Sequence, residues 1–310
     1  MPLAIEKLSR LISPPPRLSI SQWADKYAYL PKAGNAASGK YRGTFLPWQK
    51  KMLDDPLNPN TSQAVWCMAS QAAGKTLCLI IVIEYFIAQK PTGIQVVYPT
   101  LDSGKKWMRK KFMRTVRETP CMDGIIKEPR TRDSESTTLD RMFPGGDLTV
   151  IGANSATAFR QESKEIVIED ELDNYEMTEE GDPEDLAERA SITFSNSFTL
   201  RASTPTLVGT SRIWNAFQGN AELGIPASDK QFYHLPCCKC GHMQHLKWSQ
   251  FKFSFAPDEY DRALKLFPNL KDQRTEDNKD SEIRDTQRAV YVCENPECGH
   301  WWTDQDRIRA

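Results

Sequence analysis

Between two apolar runs, Ala64-Val-Trp-Cys-Met68 and Leu77-Cys-Leu-Ile-Ile-Val-Ile83, the chain places a turn of small residues, Ala69-Ser-Gln-Ala-Ala-Gly-Lys-Thr76. The first run has the length and β-rich character of a buried strand, and the second is long enough to continue as a buried helix. Strand, tight turn and helix in succession point to an α/β fold built on a parallel sheet.

The turn has the residue types of a phosphate cradle. Its backbone N–H groups, with those of the first helical turn, point at one spot, and the positive end of the helix dipole adds to them. Gly74 lets the backbone approach without a Cβ, Lys75 reaches the β- and γ-phosphates of a nucleotide, and Thr76 is placed to ligate Mg²⁺. Ser70, Gln71, Ala72 and Ala73 supply the intervening amides. Ala69 stands where such loops usually carry their first glycine, so the turn taken alone also reads as a small-residue turn with an incidental Gly-Lys-Thr. A second motif has to decide.

That partner lies about 95 residues further on. Glu165-Ile-Val-Ile-Glu-Asp-Glu171 predicts a buried strand ending in Asp170 and Glu171. Asp170 would then sit at the sheet's C-terminal edge beside the phosphate loop, where it can hold Mg²⁺, and Glu171 where it can orient or deprotonate an attacking water. Glu169 departs from the apolar pattern expected of such a strand. Together the two motifs predict a P-loop nucleoside triphosphatase that uses ATP and Mg²⁺.

At 310 residues the chain can hold one large α/β domain and a smaller module. A net charge of −1 gives no global basic excess, so any nucleic-acid contact must come from a local patch. Glu84 breaks the long apolar run well short of the ~20 residues a membrane span needs, and Glu6, Lys7 and Arg10 make the first 13 residues unlike a secretory signal. An intracellular chain without membrane contact is expected.

In order, residues 1–20 predict a short helix stopped by Pro14-Pro-Pro16, and 21–30 a helix with Ser21 as N-cap. Lys32 to Gly43 reads as a loop, and Phe45 to Leu53 as a helix with Pro47 in its first turn. Within that helix Trp48 and Gln49 precede Lys75 by about 25 residues. An aromatic face and an amide suit a purine, while a structural helix with a buried Trp is the alternative. Gly93–Tyr98 predicts a second buried strand and 102–118 a long helix with Lys105, Lys106, Arg109, Lys110, Lys111, Arg114 and Arg117 among apolar residues. Those cations read either as a solvated face or as a contact for a polyanion such as DNA. A hairpin is expected around Pro144-Gly-Gly146, a surface helix within 173–188, and a strand over 192–202 ending in Ser203-Thr-Pro-Thr206.

Cys67, Cys78 and Cys121 are scattered, but Cys237, Cys240, Cys293 and Cys298 form two knuckle-like pairs, each followed by Gly and His. Two such turns about 52 residues apart suit a tetrahedral structural Zn²⁺ in a ribbon-like β module, with no open position for catalysis. His242 or His300 replacing one Cys, or free thiols without metal, are the other readings; Cys238 is left over. Residues 258–285 read as a charged surface helix and loop.

Trp48-Gln49, Ser70 to Thr76, Tyr98-Pro-Thr100, Glu169-Asp-Glu-Leu-Asp173, Ser203-Thr-Pro-Thr206 and the cysteine module resemble, in order and spacing, the large terminase subunits of tailed phages, nearest the lambda-type, GpA-like branch. The resemblance covers about residues 20–310. It implies a RecA-like ATPase that drives double-stranded DNA into a prohead, as a homo-oligomeric ring working with a small terminase subunit and a portal in the infected host's cytoplasm, outside the mature virion. It implies adenine contact at Gln49 beside Trp48, phosphate and Mg²⁺ at Lys75 and Thr76, metal at Asp170, water at Glu171, and coupling at Ser203 and Thr204. It also implies an arginine supplied to a neighbouring subunit's site, for which Arg160 has the matching position and Arg189 and Arg201 are weaker candidates. The family's nuclease domain is expected to be absent, the chain being a fragment.

The expected organisation is an extension over 1–44, an ATPase core over 45–220 and a zinc-ribbon-like module over 221–310. A helicase or remodeller would need a second RecA-like domain. A non-catalytic zinc-ribbon DNA-binding protein with a degenerate nucleotide fold is opposed by intact Lys75, Asp170 and Glu171.

Overall fold

The computed structural model describes residues 17–33, 38–68, 74–126, 137–160, 163–270, 283–284, 289–303 and 305–306. The chain divides into two units, the first ending at Lys230 and the second beginning at Gln231.

A six-stranded sheet organises the first unit. Its strands are β3 (Gln63–Cys67), β4 (Ile94–Tyr98), β5 (Asp140–Phe143), β6 (Gly146–Gly152), β7 (Ile166–Asp170) and β8 (Phe198–Ser203), in the order β3-β8-β7-β4-β6-β5. All neighbours are parallel except the β5–β6 hairpin at one edge. β4 and β7 are buried along their whole length, which requires helices on both faces.

One face is covered by α1 (Ile20–Tyr27) and α3 (Lys75–Gln89), with Trp23, Leu79, Ile83 and Phe86 packed against Val96 and Ile168. The other is covered by α6 (Ala156–Phe159), α7 (Pro183–Ser191) and α8 (Arg212–Gln218), with Phe159, Leu186 and Ile213 against Val97 and Val167. Adjacent residues of each strand thus feed opposite faces, and each fully buried aliphatic side chain contributes roughly 1.5–3 kcal/mol.

The run after β4 is one helix in three parts: α4 (Leu101–Trp107), a π-turn (Met108–Phe112) and α5 (Met113–Glu118). Gly104, Met108, Phe112 and Val116, every fourth residue, face the domain. At 3.6 residues per turn such a row would swing about 40° per step, and the wider π-turn takes up part of the excess.

Several boundaries differ from the sequence expectation. Ser19, not Ser21, caps α1, because Ser21 gives both its N–H and its hydroxyl to Asp54 at 2.8 Å. The stretch 32–43 contains β2 (Gly39–Lys40), paired with β1 (Tyr29–Leu30). The helix expected from Phe45 begins as α2 (Gln49–Asp54), and β8 begins only at Phe198 after exposed Ile192. The helix expected over residues 1–20 lies outside the described residues up to residue 16.

The second unit is built of short antiparallel pairs. β9 (Leu235–Pro236) pairs β10 (Met243–Gln244), β12 (Ser254–Phe255) pairs β13 (Ile283–Arg284), and β14 (Val290–Val292) lies between β11 (Phe251–Lys252) and β15 (Trp301–Trp302). α9 (Tyr260–Leu266) packs Ala263 on Phe255 and Trp301.

Candidate nucleotide and metal sites

Parallel strands deliver their C-terminal ends to one edge, and here those ends carry the polar groups. β3 ends at Cys67, β8 at Ser203, β7 at Asp170 and β4 at Tyr98. β8 lies between β3 and β7, so the Asp170 strand is not the direct neighbour of the strand that enters the phosphate loop.

Lys75 bridges the gap: its Nζ lies 2.6 Å from Oδ1 of Asp170. Oδ1 also accepts from the Glu171 N–H at 3.0 Å, and Oδ2 accepts from the Tyr98 hydroxyl at 2.8 Å. Asp170 is 1% exposed, so its charge is held by Lys75 and these donors, not by bulk water. Burial and then the Asp170 carboxylate push the Tyr98 phenol well above its ordinary range, keeping it a donor. Trp107 lies against its ring, with centroids 5.5 Å apart.

Gly74 caps α3 with φ +78, and a Cβ there would stand 2.6 Å from Nε2 of Gln49. Gln49 is buried, and its Oε1 accepts from Tyr41 at 3.0 Å. The amide that the sequence picked out therefore stands against the turn, with half-buried Trp48 just before it. Thr76 is half-buried in the first turn of α3. Ala69, Ser70, Gln71, Ala72 and Ala73 lie outside the described residues.

Glu171 is exposed and adopts left-handed backbone angles, φ 57 and ψ 40, which are sparsely populated by residues with a Cβ. Just beyond it, Asp173 ties β7 to the turn after β8. Its N–H donates to Ser203 Oγ at 3.2 Å, and its carboxylate accepts from Thr206 N and Oγ1 and from Ile213 N, each at 2.8 Å. Burial works to raise the Asp173 pKa, but the donors from Ile213, Ser211 and Thr206 outweigh it and hold it below the usual value. Thr204 is half-buried beside Ser203.

The departure at Glu169 also has a physical reason. Glu169 is fully buried, opposite Arg201 on β8, whose Nε lies 2.8 Å from Oε2. Arg201 also reaches Glu184 at 3.6 Å and Glu188 at 3.8 Å. Burial pushes Glu169 up to about 7 against the pull of Arg201. Of the other arginines named from sequence, Arg160 is 67% exposed and ion-paired with Glu180, and Arg189 is exposed on α7. Nothing local in the sequence assigns a role to Tyr98 or Asp173; a Tyr closing a buried strand is the only signal for the first.

In the second unit, the Sγ atoms of Cys237, Cys240, Cys293 and Cys298 lie within 4.8 Å of one another, with Cys240 and Cys293 at 3.7 Å. Zn–S bonds of about 2.3 Å in a tetrahedron separate sulfurs by about 3.8 Å, so the cluster fits Zn²⁺. Gly241, φ +72, closes the first knuckle with its N–H on Cys237 O at 2.8 Å. Cys237 is held down at about 7: burial raises it, but the N–H groups of Cys240 and Lys239 and the facing thiols prevail. His300 turns elsewhere, its Nε2 3.2 Å from Asp306, in a separate group with Cys238.

A mostly parallel sheet with a strand inserted between the loop strand and the acidic strand, and a Gly-Lys-Thr turn meeting that acid, defines the RecA-like class of P-loop fold. The chain belongs to the family described as phage terminase large subunit gpA, ATPase domain, whose model matches residues 35–310. It is 29% identical over 244 residues to the terminase large subunit of Enterobacteria phage P21, covering 78% of this chain and 36% of that protein. The chain thus spans about a third of that relative's length. The crystal structure of the HK97 bacteriophage large terminase superposes with a TM-score of 0.53 at 14% identity, over 84% of this chain and 49% of that one, which supports the fold. No described helix is long and apolar enough to cross a membrane.

Proposed function

We propose that this chain is the ATP-hydrolysing motor portion of a phage large terminase, coupling hydrolysis to movement of double-stranded DNA into a prohead. The observation that carries the reading is the 2.6 Å contact between Lys75 and Asp170, which joins two motifs 95 residues apart at one sheet edge.

In this reading Lys75 turns from Asp170 to the β- and γ-phosphates of ATP, and Thr76 and Asp170 would hold Mg²⁺, which when bound would supply positive charge against the transferred phosphoryl. The exposed Glu171 carboxylate orders and deprotonates the attacking water. Gln49 and Trp48 border the base end of the site. The Asp173–Ser203–Thr206 network carries a change at β7 to the turn containing Ser203 and Thr204. Arg160 faces solvent, where a neighbouring subunit in a ring would receive it. Double-stranded DNA, a small terminase subunit and the portal of a prohead are the partners, met in the infected host's cytoplasm. The four-Cys cluster is a structural Zn²⁺ site.

ATP turnover measured against protein concentration, with and without duplex DNA, tests this. Lys75→Ala and Glu171→Ala are each expected to lose at least about 100-fold. Specific activity rising with concentration and lost in Arg160→Ala supports the trans arginine; activity independent of both removes it. Undiminished turnover in Glu171→Ala would refute the assignment of the base.

A further inference from the structure

From residue 105 to residue 117, every exposed side chain is a Lys or an Arg. Lys105, Lys106, Arg109, Lys110, Lys111, Arg114 and Arg117 are exposed, while Trp107, Met108, Phe112, Met113, Thr115 and Val116 are buried. The only carboxylates in α4, the π-turn and α5 stand at the two ends, Asp102, which lies 3.7 Å from Lys105, and Glu118. The chain as a whole carries a net charge of −1, so this face is a strong local departure.

A helix face that merely contacts water mixes both signs, because like charges four residues apart repel. Here Lys105 and Arg109, Lys106 and Lys110, and Lys110 and Arg114 are such pairs. A polyanion removes that repulsion. The face holds no exposed aromatic or aliphatic group, whereas a protein partner is anchored by such groups at the centre of its interface. Cations alone fit a ligand of uniform, closely spaced negative charge. From Lys105 to Arg117 the face runs for roughly 18 Å, about five base-pair steps along one strand.

The run is tied at one end to the nucleotide site and at the other to the helix that leaves it. It starts at Thr100, two residues beyond Tyr98, whose hydroxyl holds Asp170. It ends at Thr119, whose hydroxyl donates at 3.4 Å to Glu84 of α3, the helix that begins with Lys75. We infer that this face is a contact surface for the phosphate backbone of duplex DNA, read without regard to sequence, through which bound DNA acts on ATP turnover. The inference rests on the motor reading and assigns the side of the domain that meets DNA.

The test uses the full chain, a fluorescently labelled mixed-sequence duplex, and binding measured by anisotropy between about 50 and 200 mM salt. In the variant Lys106→Gln, Arg109→Gln, Lys110→Gln, Lys111→Gln, the slope of log affinity against log salt becomes shallower by about 2–4, following the four contacts removed. Stimulation of ATP turnover by DNA is lost while turnover without DNA stays at the parental level. The charge-preserving variant Lys106→Arg, Arg109→Lys, Lys110→Arg, Lys111→Arg retains binding. Parental affinity and slope in the Gln variant would overturn the inference, as would a parent that turns over ATP but does not bind duplex. Unchanged duplex binding with loss of binding to polyglutamate would assign the face to an acidic protein and likewise overturn it. Loss of turnover without DNA in parent and variants alike would count against the motor reading, while the salt slope would still judge the face.

Discussion

Glu84 sits in the middle of α3, fully buried, and burial pushes its pKa up to about 8 despite the Thr119 hydroxyl on Oε2. Oε1 has no hydrogen-bond partner among the described residues. The folded protein therefore carries a neutral Glu84 at pH 7, while the unfolded chain ionises it near 4.5. Between those values the folded state binds the extra proton, so the stabilisation is complete below pH 4.5 and is lost as pH rises through 8. Each pH unit in that window removes about 1.4 kcal/mol, for a total on the order of 4–5 kcal/mol. Glu84→Gln keeps the shape and cannot ionise. It should match the parent near pH 5 and exceed it by about 4 kcal/mol at pH 8.5, a difference of roughly 8–16 °C in Tm for a unit of this size. Urea and thermal unfolding of both proteins at intervals from pH 5 to 8.5 measure this. A stability difference that stays flat across the range would refute the reasoning.

Tyr98→Phe removes a buried donor to Asp170, and the Mg²⁺ concentration for half-maximal ATP turnover should rise about tenfold, a loss of about 1.4 kcal/mol. An unchanged Mg²⁺ dependence would remove Tyr98 as a positioning residue. Arg201→Met leaves Glu169 buried without its cation and should destabilise by about 3–5 kcal/mol. The folded Glu169 pKa then climbs above about 7, so the loss grows as pH rises from 4.5, and Glu169→Gln in the same background should abolish that pH dependence. Metal analysis should find one Zn²⁺ per chain, released by strong chelators or by Cys298→Ser, with loss of the second unit's near-ultraviolet signal. Retention of that signal without metal would make the thiol cluster dispensable.

The elements legible in the sequence are those whose signals are local. A short apolar run before Gly74-Lys75-Thr76 marks a strand and a helix, Pro144-Gly-Gly146 marks the hairpin, and paired cysteines at short spacing mark knuckles, because backbone sterics and periodicity act within a few residues. Asp170 and Lys75 could be named for the same reason. Boundaries failed where a distant group intervened: Ser21 left its capping role to Ser19 because Asp54, 33 residues away, takes its hydroxyl and its N–H.

Tertiary structure alone decided how the strands are ordered, and with it which residues meet. Placing β8 between β3 and β7 sets Arg201 opposite Glu169, turning an anomalous acid into a buried ion pair. Pairing β4 with β7 brings Tyr98 to Asp170 from 72 residues away, and pairing β8 with β7 brings Asp173 to the turn after Ser203. Strand order is a matter of which apolar faces bury together, and no local pattern encodes it. The same holds for Glu84: its position in an apolar run was visible, but its proton follows from burial on every side, which exists only once α1, α3 and the sheet have packed.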